Sequence, residues 1–599
     1  MAISLLTQKK LLRLKPPYLL LDTIRKDGEN KKSFLFSDVV ETLIFRPKDS
    51  VDSFFKKIDN RLKKGFWLTG YFCYEFGYFL EDSLKSLQDK KDTPLVWLLV
   101  TKAPQEIKIK NDQNQYREDF LIKNVKPNIT KQEYKNKIKK IKYFLKEGFS
   151  YQTNFTFKIN FDFKGNPLNL YNHLRISQPT SYAALIKPDD TNTFLSFSPE
   201  LFIRIKKNKV ITRPMKGTLS RGKSIPKDKN KVRQFAKSRK IKAENLMITD
   251  LLRNDLGRIS EKVEVPRLFD IEKYRTLYQM TSTIEAKLKK RKKIKEIFSA
   301  LFPCGSVTGA PKIKTMEIIR DLEKEPRRIY TGAIGYISPK RNACFNVAIR
   351  TLEIKKEKGQ LGVGGGILYD SNKEAEYKEA LLKADFFTKL QKPPQLIETI
   401  LWSKDQGFWL LELHLRRLKE SCQFFSFSFY PKKIKKKLKE EVTKRNQDTK
   451  LRLLLDQSGQ IMVSAKKVQK IKSPVKVKIH KKRIDSSSIY LYHKTTKRDF
   501  YNQARKKAQK EGFFETIFLN QKNELTEGTI TNIFLAKKGN LYTPILSSGL
   551  LPGVFRQHLL QSKKAKAKKL YLRDLKKADK IYLGNSVRGL LEAKFIDIL

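Results

Sequence analysis

At positions 212–222 the chain reads TRPMKGTLSRG, with Lys216 between a Pro-Met pair and a Gly-Thr pair. A lysine amine attacks carbon only after losing its proton, which takes burial or a neighbouring cation; otherwise Lys216 is one more surface charge in a lysine-rich chain. Farther on, KEAEYKEALLKA spaces Glu376, Glu379 and Lys383 at i, i+3 and i+7, so a helix puts all three on one face. Two carboxylates that close repel unless a cation lies between them, and Mg2+ takes such oxygen ligands while also gripping a substrate carboxylate. The competing arrangement is an exposed helix laced by Glu374–Lys378 and Glu379–Lys383 pairs. Just upstream, Gly364, Gly365 and Gly366 end an apolar strand, where backbone bare of side chains lets N–H groups approach an anion. The sixth residue counted from Gly362 is Ile367, so this is not a dinucleotide-binding fingerprint.

The elements that must carry these residues are legible in outline. Residues 1 to about 125 mix short apolar runs (YLLLDTI, WLTGYFCYEFGYF, PLVWLLV) with charged loops, as an α+β region does. KQEYKNKIKKIKYFLKEG, near 131–147, predicts a charged helix. FLSFSPELFIRIKKNKVITRPM predicts paired strands with KKNK as the turn, and AENLMITDLLRNDLGRI has helical apolar spacing. At QKPPQ (391–395) a Pro-Pro break follows a long predicted helix and a new pattern begins.

Composition narrows the function classes. With 40% hydrophobic and 11% aromatic residues the chain is globular rather than disordered, although its mean hydropathy is −0.53. A formal net charge of +64 raises polyanions as partners. The basic runs KLKKRKKIK (287–295), PKKIKKKLKE (431–440) and SKKAKAKK (562–569) carry no interleaved aromatics for base stacking, so specific nucleic-acid binding is not expected. Four cysteines and five histidines lack disulfide or zinc spacing. No apolar run approaches the roughly 20 residues of a membrane span, so a soluble, cytoplasmic protein is expected.

The motifs SPELF (198–202), RPMKGTLSRG (213–222), AENLMITDLLRND (243–255), FPCGSVTGAPK (302–312), YTGAIGYIS (330–338), FNVAIRT (345–351) and GVGGGILYDS (362–371), in this order, resemble the chorismate-utilising enzymes over about residues 15–390. The resemblance implies that Glu244 joins Glu376 and Glu379 at a Mg2+ site and that Gly364, Gly365 and Gly366 receive a substrate carboxylate. It further implies that Arg350, Tyr330, Thr308 and Lys383 belong to the substrate pocket and that Glu200 is the general acid. Within the family, lysine at position 216 resembles the aminodeoxychorismate branch, whose amine attacks C2 of the ring and later leaves when ammonia enters at C4; anthranilate enzymes resemble PIAGT there. Gln152, where isochorismate and salicylate enzymes place a water-activating lysine, disfavours water as nucleophile. Gln279, where anthranilate enzymes have histidine, disfavours anthranilate. Met215, usually isoleucine, is a volume-conserving swap.

From residue 396 onward, HLRRL, HKTTKR, LTEGTITNIF, LPGVFR and GNSVRG resemble the fold-type IV pyridoxal 5'-phosphate (PLP) enzymes over about 200 residues. Such a cofactor needs a Schiff-base lysine, an acid facing the pyridine nitrogen and a phosphate-binding set. By resemblance these are Lys494, Glu527, and Arg417 with the backbone of Val554 and Phe555 and the side chain of Ser586. Phe555 departs from the commoner threonine, and Lys497 replaces an asparagine often found there.

The expected architecture is therefore α+β: a chorismate-utilising fold of two subdomains, followed by a two-subdomain α/β fold-type IV PLP domain. The boundaries expected are 1–130 for the N-terminal region, 131–390 for the chorismate-binding catalytic domain and 391–599 for the PLP domain. The resemblance implies chorismate amination to 4-amino-4-deoxychorismate, then PLP-dependent loss of pyruvate to give 4-aminobenzoate. None of the four cysteines sits in a nucleophile-elbow context, so ammonia is expected from a separate glutamine amidotransferase subunit. A homo-oligomer through the PLP domain is left open, and no membrane partner is expected. The rival readings are an anthranilate synthase large chain fused to a class IV aminotransferase, and a polyanion-binding protein on the same scaffold.

Overall fold

A computed structural model of the chain describes residues 4–597 apart from 7, 89–90, 110–119, 222–224, 275–276, 291, 391–393, 426 and 444. Gly222, Arg291 and the first Pro of QKPPQ, all within motifs quoted above, lie outside the described residues. The described residues form two compact units. The first comprises residues 1–218, 238–272 and 279–392; the second takes in 393–599 with two short segments, 219–237 and 273–278.

The first unit is built on two large antiparallel-dominated sheets, of eleven and ten strands among the described residues. Strands of the N-terminal 130 residues enter both sheets: Tyr18–Asp22 pairs with Tyr182–Lys187, and Trp67–Phe72 pairs with Ala333–Ile337. Period-2 alternation explains how the eleven-strand sheet is buried on both faces. Leu19, Ala184 and Ile186 join the larger core, shared with the ten-strand sheet, whereas Leu20, Ala183 and Leu185 point into a second core with the helices Lys131–Lys146 and Pro167–Ser177. The Lys131–Lys146 helix carries a capping box, with Thr130 Oγ1 accepting from Glu133 N–H and the Glu133 carboxylate from Thr130 N–H. The predicted hairpin is Leu201–Lys206 with Lys209–Arg213, closed by Lys206 opposite Lys209. The AENLM segment lies in the helix Arg239–Gly257. In place of the long helix expected before the Pro-Pro break there are two short ones, Lys373–Leu382 and Asp385–Thr388.

The second unit has a four-strand and an eight-strand sheet. In Thr449–Leu455 the residues Leu451, Leu453 and Leu455 face a core with the helices Leu411–Phe425 and Pro431–Val442. The lysine run at 431–440 is thus the solvated face of an amphipathic helix whose Ile434 and Leu438 are buried. Segment 219–237 is held through Arg221, whose guanidinium donates to the Asp228 carboxylate and to the carbonyls of Tyr274 and Phe424 and lies over the rings of Tyr278 and Phe424. Among the described residues, no helix is long and apolar enough to cross a membrane.

Candidate active sites

In the first unit the chemistry converges on one loop. Lys216 sits on the strand Met215–Ser220 and its Nζ donates to the carbonyl of Ser306 at 3.0 Å. The Ser306 hydroxyl donates to Glu200 Oε1 at 2.6 Å. One residue of the FPCGSVTGAPK loop thereby bridges the amine and the acid. Glu200 is 3% exposed, and burial pushes its carboxyl up to about 7 against the opposing pull of Ser306 and Lys216. Burial lowers Lys216 below the ordinary lysine range; Glu200 opposes this and Lys383 reinforces it. An acid raised to about 7 and an amine lowered from the ordinary lysine range thus meet on one serine.

The strand Lys358–Ile367 forms the adjoining wall. A Cβ on Gly366 would stand 2.0 Å from Gln152 Nε2 and 3.6 Å from Lys216 Nζ, and one on Gly365 would stand 3.4 Å from Lys383 Nζ and 3.6 Å from Glu376 Oε2. The glycines therefore leave room beside the reactive groups rather than serve a turn, and Gly364 contributes its carbonyl to Lys383 Nζ at 2.8 Å. The Oε1 atoms of Gln152 and Gln279 are buried without a hydrogen-bond partner among the described residues.

Glu376 and Glu379 lie on the helix Lys373–Leu382. Ser371 donates to Glu376 Oε1 at 2.7 Å, and Glu379 pairs with Lys383 at 3.1 Å. Glu374 pairs with Lys131 and Lys135, so of the two helix-surface pairs weighed from sequence only Glu379–Lys383 forms. Burial raises both Glu244 and Glu376, and carboxylate neighbours add to it: Glu376 and Glu379 act on Glu244, and Glu379 on Glu376. Among the described residues no three His, Cys, Asp or Glu side chains are grouped as a finished metal cage. The three carboxylates predicted from sequence share one field of repulsion without closing on a point. Two half-buried carboxylates, Glu244 and Glu376, with the exposed Glu379 adding to their repulsion, fit a divalent cation.

The remaining predicted residues hold the following positions. Thr308 Oγ1 donates to the carbonyl of Cys304 at 3.0 Å, inside its own loop. The Tyr330 ring packs on Gly362, whose Cβ would lie 2.2 Å from it. Arg350 enters the strand Thr351–Lys355 with φ +51°, its carbonyl accepting from Phe197 N–H. Sequence reasoning missed Ser306, although it lies two residues before Thr308 in a quoted motif. It also missed Arg327, whose buried guanidinium ties the carbonyls of Val307 and Asn154 to Glu323 and so anchors the loop to the sheet.

In the second unit a cavity of about 490 Å3 is lined by Thr399, Arg417, Lys494, Glu527, Phe555 and Ser586 among others. Lys494 Nζ donates to Thr399 Oγ1 at 3.0 Å, and burial, with the charge of Arg417, lowers its amine to about 7. Glu527 on the strand Leu525–Gly528 is pushed by burial to about 8, although Leu551 N–H donates to it at 3.1 Å. Arg417 is set by a residue the sequence reading did not single out: Glu398, 2% exposed, accepts from Arg417 Nε at 2.9 Å and Nη2 at 2.6 Å, and contacts His414 Nδ1 at 2.6 Å. These two neighbours hold Glu398 down at about 2 against its burial. Val554 and Phe555 open the helix Val554–Gln561, whose first N–H groups have no intrahelical acceptor. The Phe555 ring packs on Trp409 with centroids 5.6 Å apart. Ser586 Oγ donates to the carbonyl of Thr399 at 3.3 Å. A cavity with a buried amine near neutrality, a buried acid and an arginine beside a helix start fits a phosphate-bearing aldehyde cofactor.

Fold and sites together define a chorismate-utilising domain followed by a class IV aminotransferase domain. Residues 25–389 match the model of the chorismate binding enzyme family, and the chain belongs to that family; residues 395–596 match the amino-transferase class IV model. Among curated relatives, aminodeoxychorismate synthase component 1 of Klebsiella aerogenes is 37% identical over 260 residues, 43% of this chain and 57% of that protein. Anthranilate synthase component 1 of Aquifex aeolicus is 35% identical over 270 residues, 45% of this chain and 54% of that protein. This chain therefore spans little more than half the length of these curated relatives. Among solved structures, anthranilate synthase component I from Streptococcus pneumoniae superposes with a TM-score of 0.51 at 23% identity, covering 63% of this chain and 95% of that one, a likeness of fold.

Proposed function

We propose that this chain converts chorismate to 4-aminobenzoate in two sites, by amination to 4-amino-4-deoxychorismate and then elimination of pyruvate. The observation that carries the reading is the Lys216–Ser306–Glu200 chain, in which an amine of lowered pKa and an acid held up to about 7 meet on one serine. Overall identity does not separate amination at C4 from anthranilate formation, since relatives of both kinds match at 35–37%. Lys216 supports amination at C4, because an amine there can bond to C2 while Glu200 delivers its proton to the departing C4 hydroxyl. Ammonia then bonds at C4, the C2–N bond breaks, and Lys216 is regenerated.

Glu244, Glu376 and Glu379 would hold Mg2+, which supplies positive charge for a substrate carboxylate. Gln152 and the glycine strand position the ring, and Lys383 keeps a cation at the same wall. Ammonia would come from a separate glutamine amidotransferase subunit.

In the second site Arg417, the amides of Val554 and Phe555, and Ser586 would hold the phosphate of PLP, with Glu527 facing the ring nitrogen. When bound, PLP supplies an aldehyde for primary amines and an electron-withdrawing ring. Lys494, whose amine is near neutrality, takes the proton from the amine-bearing C4. Departure of the enolpyruvyl group as pyruvate leaves an aromatic ring, whose stability drives the step.

The test is full-length protein with chorismate, ammonium, Mg2+ and PLP, assayed for 4-aminobenzoate and pyruvate. Fluorescent anthranilate as the main product would refute the first half, and keto-acid-dependent amino transfer without pyruvate release would refute the second.

A further inference from the structure

A serine hydroxyl has one proton to give and two lone pairs to accept with. In Ser306 the proton goes to Glu200 Oε1 at 2.6 Å. A second group stands within hydrogen-bond reach of the same oxygen: Cys304 Sγ, 3.2 Å away. Because the hydroxyl proton is already spent on Glu200, the sulfur is the donor in this contact. Burial agrees with that assignment, since Cys304 is 3% exposed and its thiol is pushed up to about 12, so it keeps its proton at neutral pH. The Ser306 N–H faces the same sulfur. Cys304 thus grips Ser306 at both its amide and its hydroxyl.

The backbone around the pair is fixed. The Cys304 carbonyl accepts from Thr308 Oγ1 at 3.0 Å and from Val307 N–H at 3.2 Å. Thr308 therefore holds the residue that holds Ser306. Gly305, between the two, packs against the helix Arg239–Gly257, where a Cβ on it would stand 2.5 Å from Leu251 Cδ2. A hydroxyl whose oxygen accepts a hydrogen bond is a stronger donor, because each bond in a chain polarises the next. Donation from Cys304 to Ser306 and on to Glu200 therefore favours the ionised carboxylate more than the serine does alone. The titratable neighbours of Glu200 are Lys216, from the strand Met215–Ser220, and Cys304, which itself feels Lys312.

We propose that Cys304 is a positioning residue of the first site, whose thiol donates to Ser306 Oγ, aims the one hydroxyl proton at Glu200 and strengthens that bond. It acts on the acid through the serine. Its part in the reaction rests on Glu200 being the general acid of the amination proposed above.

The test is infrared difference spectroscopy on the full chain, which needs no turnover. Wild type minus Cys304→Ala isolates the S–H stretch of this thiol, expected at lower frequency than that of a free thiol. In Ser306→Ala, read against the double variant, the stretch should return to the free-thiol position; a stretch indifferent to the serine would overturn the proposal. Each protein minus its Glu200→Gln counterpart isolates the protonated carboxyl stretch of Glu200 during a pH titration. Cys304→Ala should raise the midpoint by about half a pH unit, Cys304→Ser should restore it, and adding Cys304→Ala to Ser306→Ala should move it no further. A midpoint unmoved in Cys304→Ala, not restored by Cys304→Ser, or moved as much without the serine would equally sink the assignment. Ammonium-dependent turnover of chorismate is scored separately, and its alkaline limb should follow the Glu200 midpoints. Absence of 4-amino-4-deoxychorismate with both infrared results intact would refute the amination reading and leave the coupling of Cys304 to Glu200 standing.

Discussion

The hydroxyl of Ser306 donates a 2.6 Å hydrogen bond to Glu200 while its own carbonyl accepts from Lys216. The hydrogen bond favours the ionised carboxylate, and without it burial acts on Glu200 unopposed at that oxygen. In Ser306→Ala the pKa of Glu200 should therefore rise, moving the alkaline limb of chorismate amination to higher pH while the rate at the optimum falls about tenfold. A pH–rate profile checks both, and an unmoved limb would contradict the coupling.

Lys216→Ala should lower 4-amino-4-deoxychorismate formation by at least about a thousandfold, the scale expected when a covalent nucleophile is lost. Cofactor absorbance at the second site should be unchanged. Product analysis with ammonium as nitrogen source checks it, and a fully active variant would exclude the amine as nucleophile.

Gly366→Ala places a methyl 2.0 Å from Gln152 Nε2 and beside Lys216 Nζ. Gln152 is 2% exposed and has little room to yield. The predicted result is a fall of about a hundredfold or more in kcat/KM for chorismate, larger than any accompanying change in Tm implies. Steady-state kinetics and thermal melts on the same preparation decide it.

Glu398→Gln keeps shape but removes the charge that Arg417 pairs with, leaving a buried guanidinium uncompensated, at a cost of about 3 kcal/mol. Stability should drop and PLP affinity should weaken, because Arg417 is no longer held in place. In the wild type, Glu398 lies near 2 in the fold against 4.5 unfolded. Its contribution is thus present above about pH 4.5 and is lost as pH falls toward 2. Apo-protein melts between pH 3 and 7 and PLP titrations provide the check.

Lys494 lies near 7 rather than 10.5, so its amine is protonated below about pH 7 and free above it. The rate at which apo-protein captures PLP should rise about tenfold per pH unit below 7 and level off above it. Stopped-flow absorbance measures this directly, and a rate still climbing steeply at pH 9 would place the amine in water instead.

The sequence by itself carried the order of the motifs, and with it the family of the larger part and the residue types at both sites. It also carried the periodicities behind the Lys131–Lys146 helix and the hairpin at Lys206 and Lys209, because local spacing and capping dictate such elements. Only the tertiary structure decided which groups touch. Ser306 joins Glu200 and Lys216 from segments 106 and 90 residues away, and Glu398 fixes Arg417 across 19. Such pairings arise from strand register and loop placement, which no local window contains. The pKa shifts belong to the fold for the same reason: they come first from burial, and burial belongs to the packed whole. The alternation of basic and apolar residues in TKLRLLL was visible in the chain, yet only the register with Thr399 turned it from a solvated strand face into a cavity wall.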